Sequence, residues 1–285
     1  MAVTRVGIVY HPKVESSRPL AERLAAFMKE RQVQAWLASA WDEEALRPQI
    51  QGSDFLLCLG GDGTLLRVAR AAVPWAVPIV GVNQGRLGFI TELRPEEALK
   101  RLPLLLDGKG WVDERAMLAV KLPRLHQGQA TVWALNDAVV SRGAIARVIS
   151  VETKIDGDLL TTYRGDGVMV ATATGSTGYN LAAAGPILYP QSQDLVLTPL
   201  APHLSLSNTL VLSGACTIAL HVRTDHQAML SLDGQTHITL ESGDAIEVSR
   251  SPHVARFLRL RPPGDFYRTL TARLVSPGVA EAAET

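Results

Sequence analysis

Cysteine is scarce in this chain: Cys58 and Cys216 are the only two, far apart and each within an apolar stretch. Neither has the CxxC or His/Cys spacing that a zinc site needs, so two buried, reduced thiols are expected. An excess of charge is also missing, with 28 basic and 28 acidic residues, and this balance gives no electrostatic case for nucleic acid or membranes as partners. No apolar run approaches the ~18 residues of a membrane span. The N-terminus, MAVTRVGIVYHPK, passes directly into a strand-like segment and lacks the apolar region and small-residue cleavage site of a signal peptide. These absences predict a cytoplasmic protein that binds neither nucleic acid nor membrane.

What the chain has is length and apolar content. Its 285 residues exceed the about 100 to 200 typical of one domain, and 47% are apolar against 20% charged, which fits a globular protein of two domains. From residue 1 to about 109, short apolar runs alternate with amphipathic segments, as in βα units of a parallel sheet. Residues 6–10 read as a buried strand ended by Pro12. Leu20, Leu24, Phe27 and Met28 follow at i, i+4, i+7 and i+8 on one helical face, with Ser16 or Ser17 available as N-cap. Further strands are expected at 33–38, 55–59 and 77–82, and helices at 64–72 and 95–106, giving a Rossmann-like wound sheet.

From about 115 to 260 the texture changes to short β-branched runs separated by turn residues. Asp156-Gly157, Asp233-Gly234 and Ser242-Gly243 each fall between strand-like stretches, as hairpins require. An all-β, sandwich-like domain is expected. Pro262-Pro263-Gly264-Asp265 then punctuates the chain before a short amphipathic segment at 266–274, and the small, polar residues 276–285 are expected to fray. The expected division is an α/β domain at 1–114, with 262–285 packing back on it, and a β-rich domain at 115–261.

Gly60-Gly61-Asp62-Gly63-Thr64 lies between the apolar run 55–59 and a helix, where wound α/β sheets bind their ligands. Glycines lack the Cβ that would hold a phosphate away from backbone N–H groups, and a helix N-terminus favours an anion. The string has neither the Lys of a P-loop nor the GxGxxG spacing. Its one ionisable side chain is Asp62. A carboxylate beside phosphates repels them unless it holds a metal ion or takes a proton from an attacking hydroxyl, and both roles belong to phosphoryl transfer. Taken alone, the string also fits a tight turn in which Asp62 caps its helix.

A second constellation joins Arg164-Gly165-Asp166-Gly167, a short apolar strand and the loop Thr174-Gly175-Ser176-Thr177-Gly178-Tyr179-Asn180. Its hydroxyls and amides suit sugar and phosphate oxygens, and Tyr179 can stack on a purine. A close-packed Ala/Ser/Thr connection explains it equally well. Asn136-Asp137 could clamp a ribose diol or simply make a turn. Asn83-Gln84-Gly85-Arg86-Leu87-Gly88-Phe89 offers two glycines for close backbone approach, or is a strand-to-helix loop.

In this order the motifs resemble the NAD kinase family: GGDGT at 60–64, NxGxLGF at 83–89, Asn-Asp at 136–137, GDG at 165–167, TGSTGYN at 174–180, a GGPIL-like stretch at 184–188, and Pro202-His203. The match runs through nearly the whole chain. GGDGT alone also occurs in lipid kinases and phosphofructokinases, whereas its combination with TGSTGYN is highly specific. The resemblance implies an α/β domain followed by a β-rich one, and an enzyme that moves a phosphoryl group from ATP, or another donor, to the 2′-hydroxyl of the adenosine ribose of NAD.

It further implies Mg²⁺ or another divalent cation, without naming a metal ligand in the chain. It makes Asp62 the general base and Gly60, Gly61 and Thr64 the phosphate loop. Gly63, Arg67, Asn136, Asp137, Arg147, Arg164, Asp166, Thr177, Gly178, Tyr179, Asn180, Leu181, Ala182 and Gln235 match substrate-binding positions. A neighbouring subunit completes the site in the family, implying a homodimer or homotetramer. The chain departs from the common pattern with Asp137 for Glu, Gly178 for Ala, and Asn208-Thr209 for Arg-Pro. A lipid kinase and a catalytically silent dinucleotide sensor are the competing readings.

Overall fold

The structure, a computed structural model, describes residues 3–85, 88–122, 131–143, 147–203 and 206–274. Arg86 and Leu87 of the 83–89 loop and the tail 276–285 lie outside them. The chain divides into two compact units, Met1–Asp113 with Arg256–Thr285, and Glu114–Ala255.

The first unit runs β1 (Arg5–Tyr10), α1 (Ser17–Lys29), β2 (Gln34–Ser39), α2 (Glu43–Ile50), β3 (Phe55–Leu59), α3 (Asp62–Ala72), β4 (Ile79–Val82) and α4 (Pro95–Leu106). Its strands pair in parallel in the order β2-β1-β3-β4. All five residues of β3 are buried, as expected of a parallel strand covered on both faces. The chain moves outward from β1 to β2 and then back past β1 to β3. Right-handed crossovers therefore put α1 and α2 on opposite faces, and the order reverses between β1 and β3. The loops after those two strands open at this switch point, where such sheets bind ligands. On one face α1 packs with α4, and on the other α2 packs with α3. The core joins Val6, Ile8, Phe55, Leu57 and Val80 to Leu24, Met28 and Leu102.

Two local features depart from the sequence pattern. Helix α2 was not expected, because polar residues and Pro48 obscure its period; Asp42 starts it by accepting from the Ala45 amide at 3.1 Å. Helix α3 begins at Asp62 and not at 64. Gly61 is its extended N-cap, and the Gly61 carbonyl accepts from the amides of Thr64 at 3.0 Å and Leu65 at 3.1 Å.

The second unit is built from β5 (Trp111–Lys121), β6 (Val132–Ala134), β7 (Asp137–Arg142), β8 (Ile149–Ile155), β9 (Asp158–Gly165), β10 (Gly167–Ala171), β11 (Leu195–Leu200), β12 (Leu210–Leu212), β13 (Thr217–Arg223), β14 (Ala228–Leu232), β15 (Thr236–Leu240) and β16 (Ala245–Arg259), with the one-turn helix α5 (Tyr179–Ala182). One antiparallel sheet has the order β12-β11-β10-β7-β14-β15. The other layer carries β16-β13-β8-β9 and the β5–β6 pair. Val140, Val168, Leu195 and Leu230 from the first layer share a core with Leu118, Val151, Tyr163 and Leu220 from the second, so this unit is the expected all-β sandwich.

Asp156-Gly157 and Asp233-Gly234 make the expected tight hairpins, each pair with positive φ at both residues. Strand β16 leaves the second unit and rejoins the first at Arg256, where Phe257 pairs with Ile79 of β4. Helix α6 (Asp265–Leu274) follows. Both cysteines are free; Cys58 is fully buried, but Cys216, in the turn before β13, is only partly so, against the expectation of two buried thiols. Among the described residues no helix is long and apolar enough to cross a membrane.

Candidate active site

In the first unit, Asp62 stands at the first position of α3, at the carboxyl end of β3. Its Oδ2 accepts from the Phe89 amide at 2.8 Å and its Oδ1 from the Ile90 amide at 3.3 Å, so the carboxylate is gripped by a strap 27 and 28 residues downstream. Gly88 lies directly against that carboxylate, and a Cβ there would overlap Asp62 Oδ1. The strap is itself fixed: the Gly88 amide donates to Thr91 Oγ1 at 2.9 Å, and the Glu92 amide to the Gly81 carbonyl at 2.8 Å.

The glycines around Asp62 differ in what they meet. A Cβ on Gly60 would strike the Thr64 side chain, whereas one on Gly61 would meet nothing within 4 Å. Packing dictates the first glycine; the second leaves open space beside the helix start. Arg67 points elsewhere along α3, its guanidinium carbon 4.9 Å from the Trp41 ring centroid, and its Nε is buried without a hydrogen-bond partner among the described residues. The His11 ring lies 4.4 Å from the Trp41 ring, so loops after β1 and β2 support this arginine. Asn83 closes its own turn by donating to the Gly85 carbonyl at 2.6 Å.

In the second unit, Asn136 and Asp137 enter β7 against the β14–β15 hairpin. Asp233 there accepts from the amides of Leu135 at 3.0 Å, Asn136 at 2.7 Å and Asp137 at 3.3 Å. Asn136 Oδ1 is buried and has no partner among the described residues, which leaves a strong acceptor unused. The Asp137 carboxyl is pushed up to about 7, first by burial and then by the nearby Asp233 charge. Gln235 is in the same hairpin, its amide donating to the Leu232 carbonyl at 3.0 Å.

The 174–180 loop packs on this corner because Ala171 pairs with Asp137, and Gly175 sits so close to the Asn136 carbonyl that no side chain fits. Arg115 Nη1 reaches Thr174 Oγ1 at 3.5 Å from beneath. Thr177 Oγ1 donates to the Thr174 carbonyl at 3.2 Å. Asn180 is fully buried; its amide donates to the Pro186 carbonyl at 2.9 Å and accepts from Thr198 Oγ1 at 2.7 Å, so it braces the loop from inside. Gly178 and Ala182 are exposed, Leu181 is half-buried, and Tyr179 presents an exposed ring.

Arg164, Asp166 and Arg147 are not brought to this corner. Asp166 pairs with Arg142 Nε at 2.6 Å, next to Gly167, which is opposite Ser141. Four residues of strand separate that end of β7 from Asp137, about 14 Å. Arg164 is exposed beside it, and Arg147 reaches Asp225 at 3.7 Å. Trp41, the anchoring role of Asp233 and residues 90–92 of the strap went unrecognised in the sequence, which offered Gly88 and Phe89 only as part of a glycine-bearing loop. The Asp-Gly turn signalled a hairpin at 233, but the partners of its carboxylate lie 96 to 98 residues away.

Residues 6–110 match the ATP-NAD kinase N-terminal domain, and residues 135–260 match the ATP-NAD kinase C-terminal domain. The chain belongs to the NAD kinase family. An NAD kinase of Dehalococcoides mccartyi is 44% identical over 271 residues, 95% of each chain. One of Chloroflexus aurantiacus is 41% identical over 270 residues, 95% of this chain and 98% of its own. Among solved structures, an NAD kinase from Archaeoglobus fulgidus in complex with ATP is similar with a TM-score of 0.76 at 28% identity, covering 94% of this chain and 98% of that one. Yeast NADH kinase complexed with NADH, at 23% identity, shares the fold with a TM-score of 0.83 over 96% of this chain and 88% of its own. Membership in the NAD kinase family makes the chain a phosphotransferase and removes the lipid-kinase reading.

Proposed function

We propose that the chain transfers the terminal phosphoryl group of ATP, or of another phosphoryl donor, to the 2′-hydroxyl of the adenosine ribose of NAD, forming NADP. The observation that carries this reading is the Asp62 carboxylate, held by two main-chain amides at the start of α3 beside the open space over Gly61. As the hydroxyl oxygen attacks the terminal phosphorus, Asp62 takes its proton, and the bond from phosphorus to the bridging oxygen of the donor breaks. Gly60, Gly61 and Thr64 form the loop that brings the donor phosphates to the positive end of α3, and Gly63 touches the substrate. Arg67, whose Nε has no hydrogen-bond partner among the described residues, contacts NAD.

The second unit binds the acceptor. Asn136, whose Oδ1 has no partner among the described residues, and Asp137 hold the ribose and nicotinamide side; a carboxyl that titrates near neutral pH can donate in one form and accept in the other. Thr177, Gly178, Tyr179, Leu181 and Ala182 line the adenosine pocket, Asn180 sets their geometry, and Gln235 adds a polar contact. Arg147, Arg164 and Asp166 lie at the far end of β7 and β10 and serve the site of a second copy, in a homodimer or homotetramer. Among the described residues no group of three His, Cys, Asp or Glu side chains could hold a metal ion. A divalent cation such as Mg²⁺, which needs only one or two carboxylates, would be held mainly by the donor phosphates and would screen their charge; no step is assigned to it.

An NADP-formation assay tests the proposal. Asp62→Asn should fold and bind NAD while turnover falls by about 10²- to 10⁴-fold, the usual contribution of a general base. Unchanged turnover would overturn the role of Asp62. NAD binding without product in the unaltered protein would make it a dinucleotide sensor and overturn the activity.

A further inference from the structure

We propose that Arg259, at the end of β16, is a positioning residue for Asp62 that acts through the strap at 88–92; the inference rests on the reading of Asp62 as base. The Arg259 side chain is 8% exposed and lies between two buried carboxylates, Glu92 at 4% and Asp113 at 3%. Its Nε donates to Asp113 Oδ2 at 3.1 Å and its Nη1 approaches Glu92 Oε2 at 3.4 Å. The shortest bond goes to neither carboxylate: Nη1 donates to the Ile90 carbonyl at 2.6 Å. Glu92 Oε1 in turn accepts from the amides of Leu260 at 2.9 Å and Arg261 at 2.7 Å.

Buried ions are costly, and a well-packed apolar cluster of the same volume is often as stable or more so. An apolar cluster could join strap to strand. It could not donate to the Ile90 carbonyl. The carbonyl and amide of Ile90 belong to the two peptide planes that meet at its Cα, so anchoring the carbonyl holds that Cα in place and leaves only φ and ψ of Ile90 for the amide that donates to Asp62 Oδ1. Arg259 thus aims the strap, and the strap aims the carboxylate. Proton transfer and in-line attack depend on such alignment, and a displacement of about 1 Å can cost about 10²-fold in rate.

Arg259→Lys keeps the positive charge but loses the fork that serves Asp113 and Ile90 together. Thr91→Val disturbs the same strap, by removing the acceptor of the Gly88 amide, without touching the buried ions. We expect kcat for NADP formation to fall about 10- to 100-fold in Arg259→Lys and less in Thr91→Val, with KM and Kd for NAD within about threefold. In an Asp62→Asn background either substitution should cost less than about twofold more, because the aimed group is gone. Full additivity with Asp62→Asn, or kcat unchanged in both variants, overturns the positioning role. If Arg259→Lys fails to fold, as melting would reveal, Thr91→Val alone decides by the same two criteria. Failure of the base reading is separate and is read from Asp62→Asn alone.

Discussion

Asp62 and Asp137 are both aspartates at the first position of an element, one in each unit, and their surroundings are opposite. Asp62 receives two main-chain N–H bonds from the strap at 88–90. Among the described residues Asp137 receives none of the amides around it, because Asp233 takes those of residues 135 to 137, including that of Asp137 itself. Burial beside a second carboxylate raises the affinity of the Asp137 carboxyl for its proton, whereas the amides on Asp62 fix where its oxygens point. Identical side chains are thus given different work by where the nearby N–H groups point.

The largest test of this contrast is the pair of isosteric substitutions. Asp62→Asn should lower turnover by about 10²- to 10⁴-fold, whereas Asp137→Asn, which mimics the protonated form, should lower it by less than about tenfold. Equal losses in the NADP assay would break the division of labour. Stability against pH comes next. With its pKa raised from 3.8 to about 7, Asp137 stabilises the fold fully below about pH 4, and that contribution is lost as pH rises through about 7. Asp137→Asn should remove this fall and be the more stable protein at pH 8, by up to about 4 kcal/mol. Urea midpoints at pH 5 and pH 8 measure it, and a lower midpoint for Asp137→Asn at pH 8 contradicts the assignment.

Asp233→Ala strips three amides of their acceptor and leaves alanine at a φ of 53°; a loss of about 3 kcal/mol is expected, seen as a lower melting temperature. Asp233→Asn tolerates the same φ and should lose less. The smallest effect belongs to Gly178→Ala. The added methyl would lie 3.3 Å from the Gly175 carbonyl and 3.7 Å from Asn136 Nδ2, with ordinary φ, so KM for NAD should move by less than about threefold. A change of a hundredfold would mean that Gly178 is required for the ligand itself.

The fold was legible in the sequence where local chemistry decides it. Continuous apolar runs marked β3 and β4, and Asp-Gly steps marked the hairpins at 156 and 233. Helix α2 was hidden because Pro48 and its polar neighbours break the helical period. The start of α3 shifted by two residues, since nothing in the string GGDGT announces that Gly61 will be extended. In the site, glycine spacing drew attention to Asp62 and to the 174–180 loop. The groups that set their geometry did not announce themselves: Asp233 serves residues almost a hundred positions away, and Arg259 joins Glu92 across 167. Such pairings depend on topology, which no local pattern carries.

Strand β16 gives the molecule an order of completion during synthesis. The core of the first unit takes in Leu258 and Leu260, and its buried carboxylates Glu92 and Asp113 wait for Arg259. That arginine is made 146 residues after Asp113, a delay of roughly 7 to 30 s at about 5 to 20 residues per second. The unit that begins at the N-terminus is therefore the one that finishes last on the ribosome. A nascent chain stopped before Arg256 would hold a sheet without its closing strand and two acids without their cation.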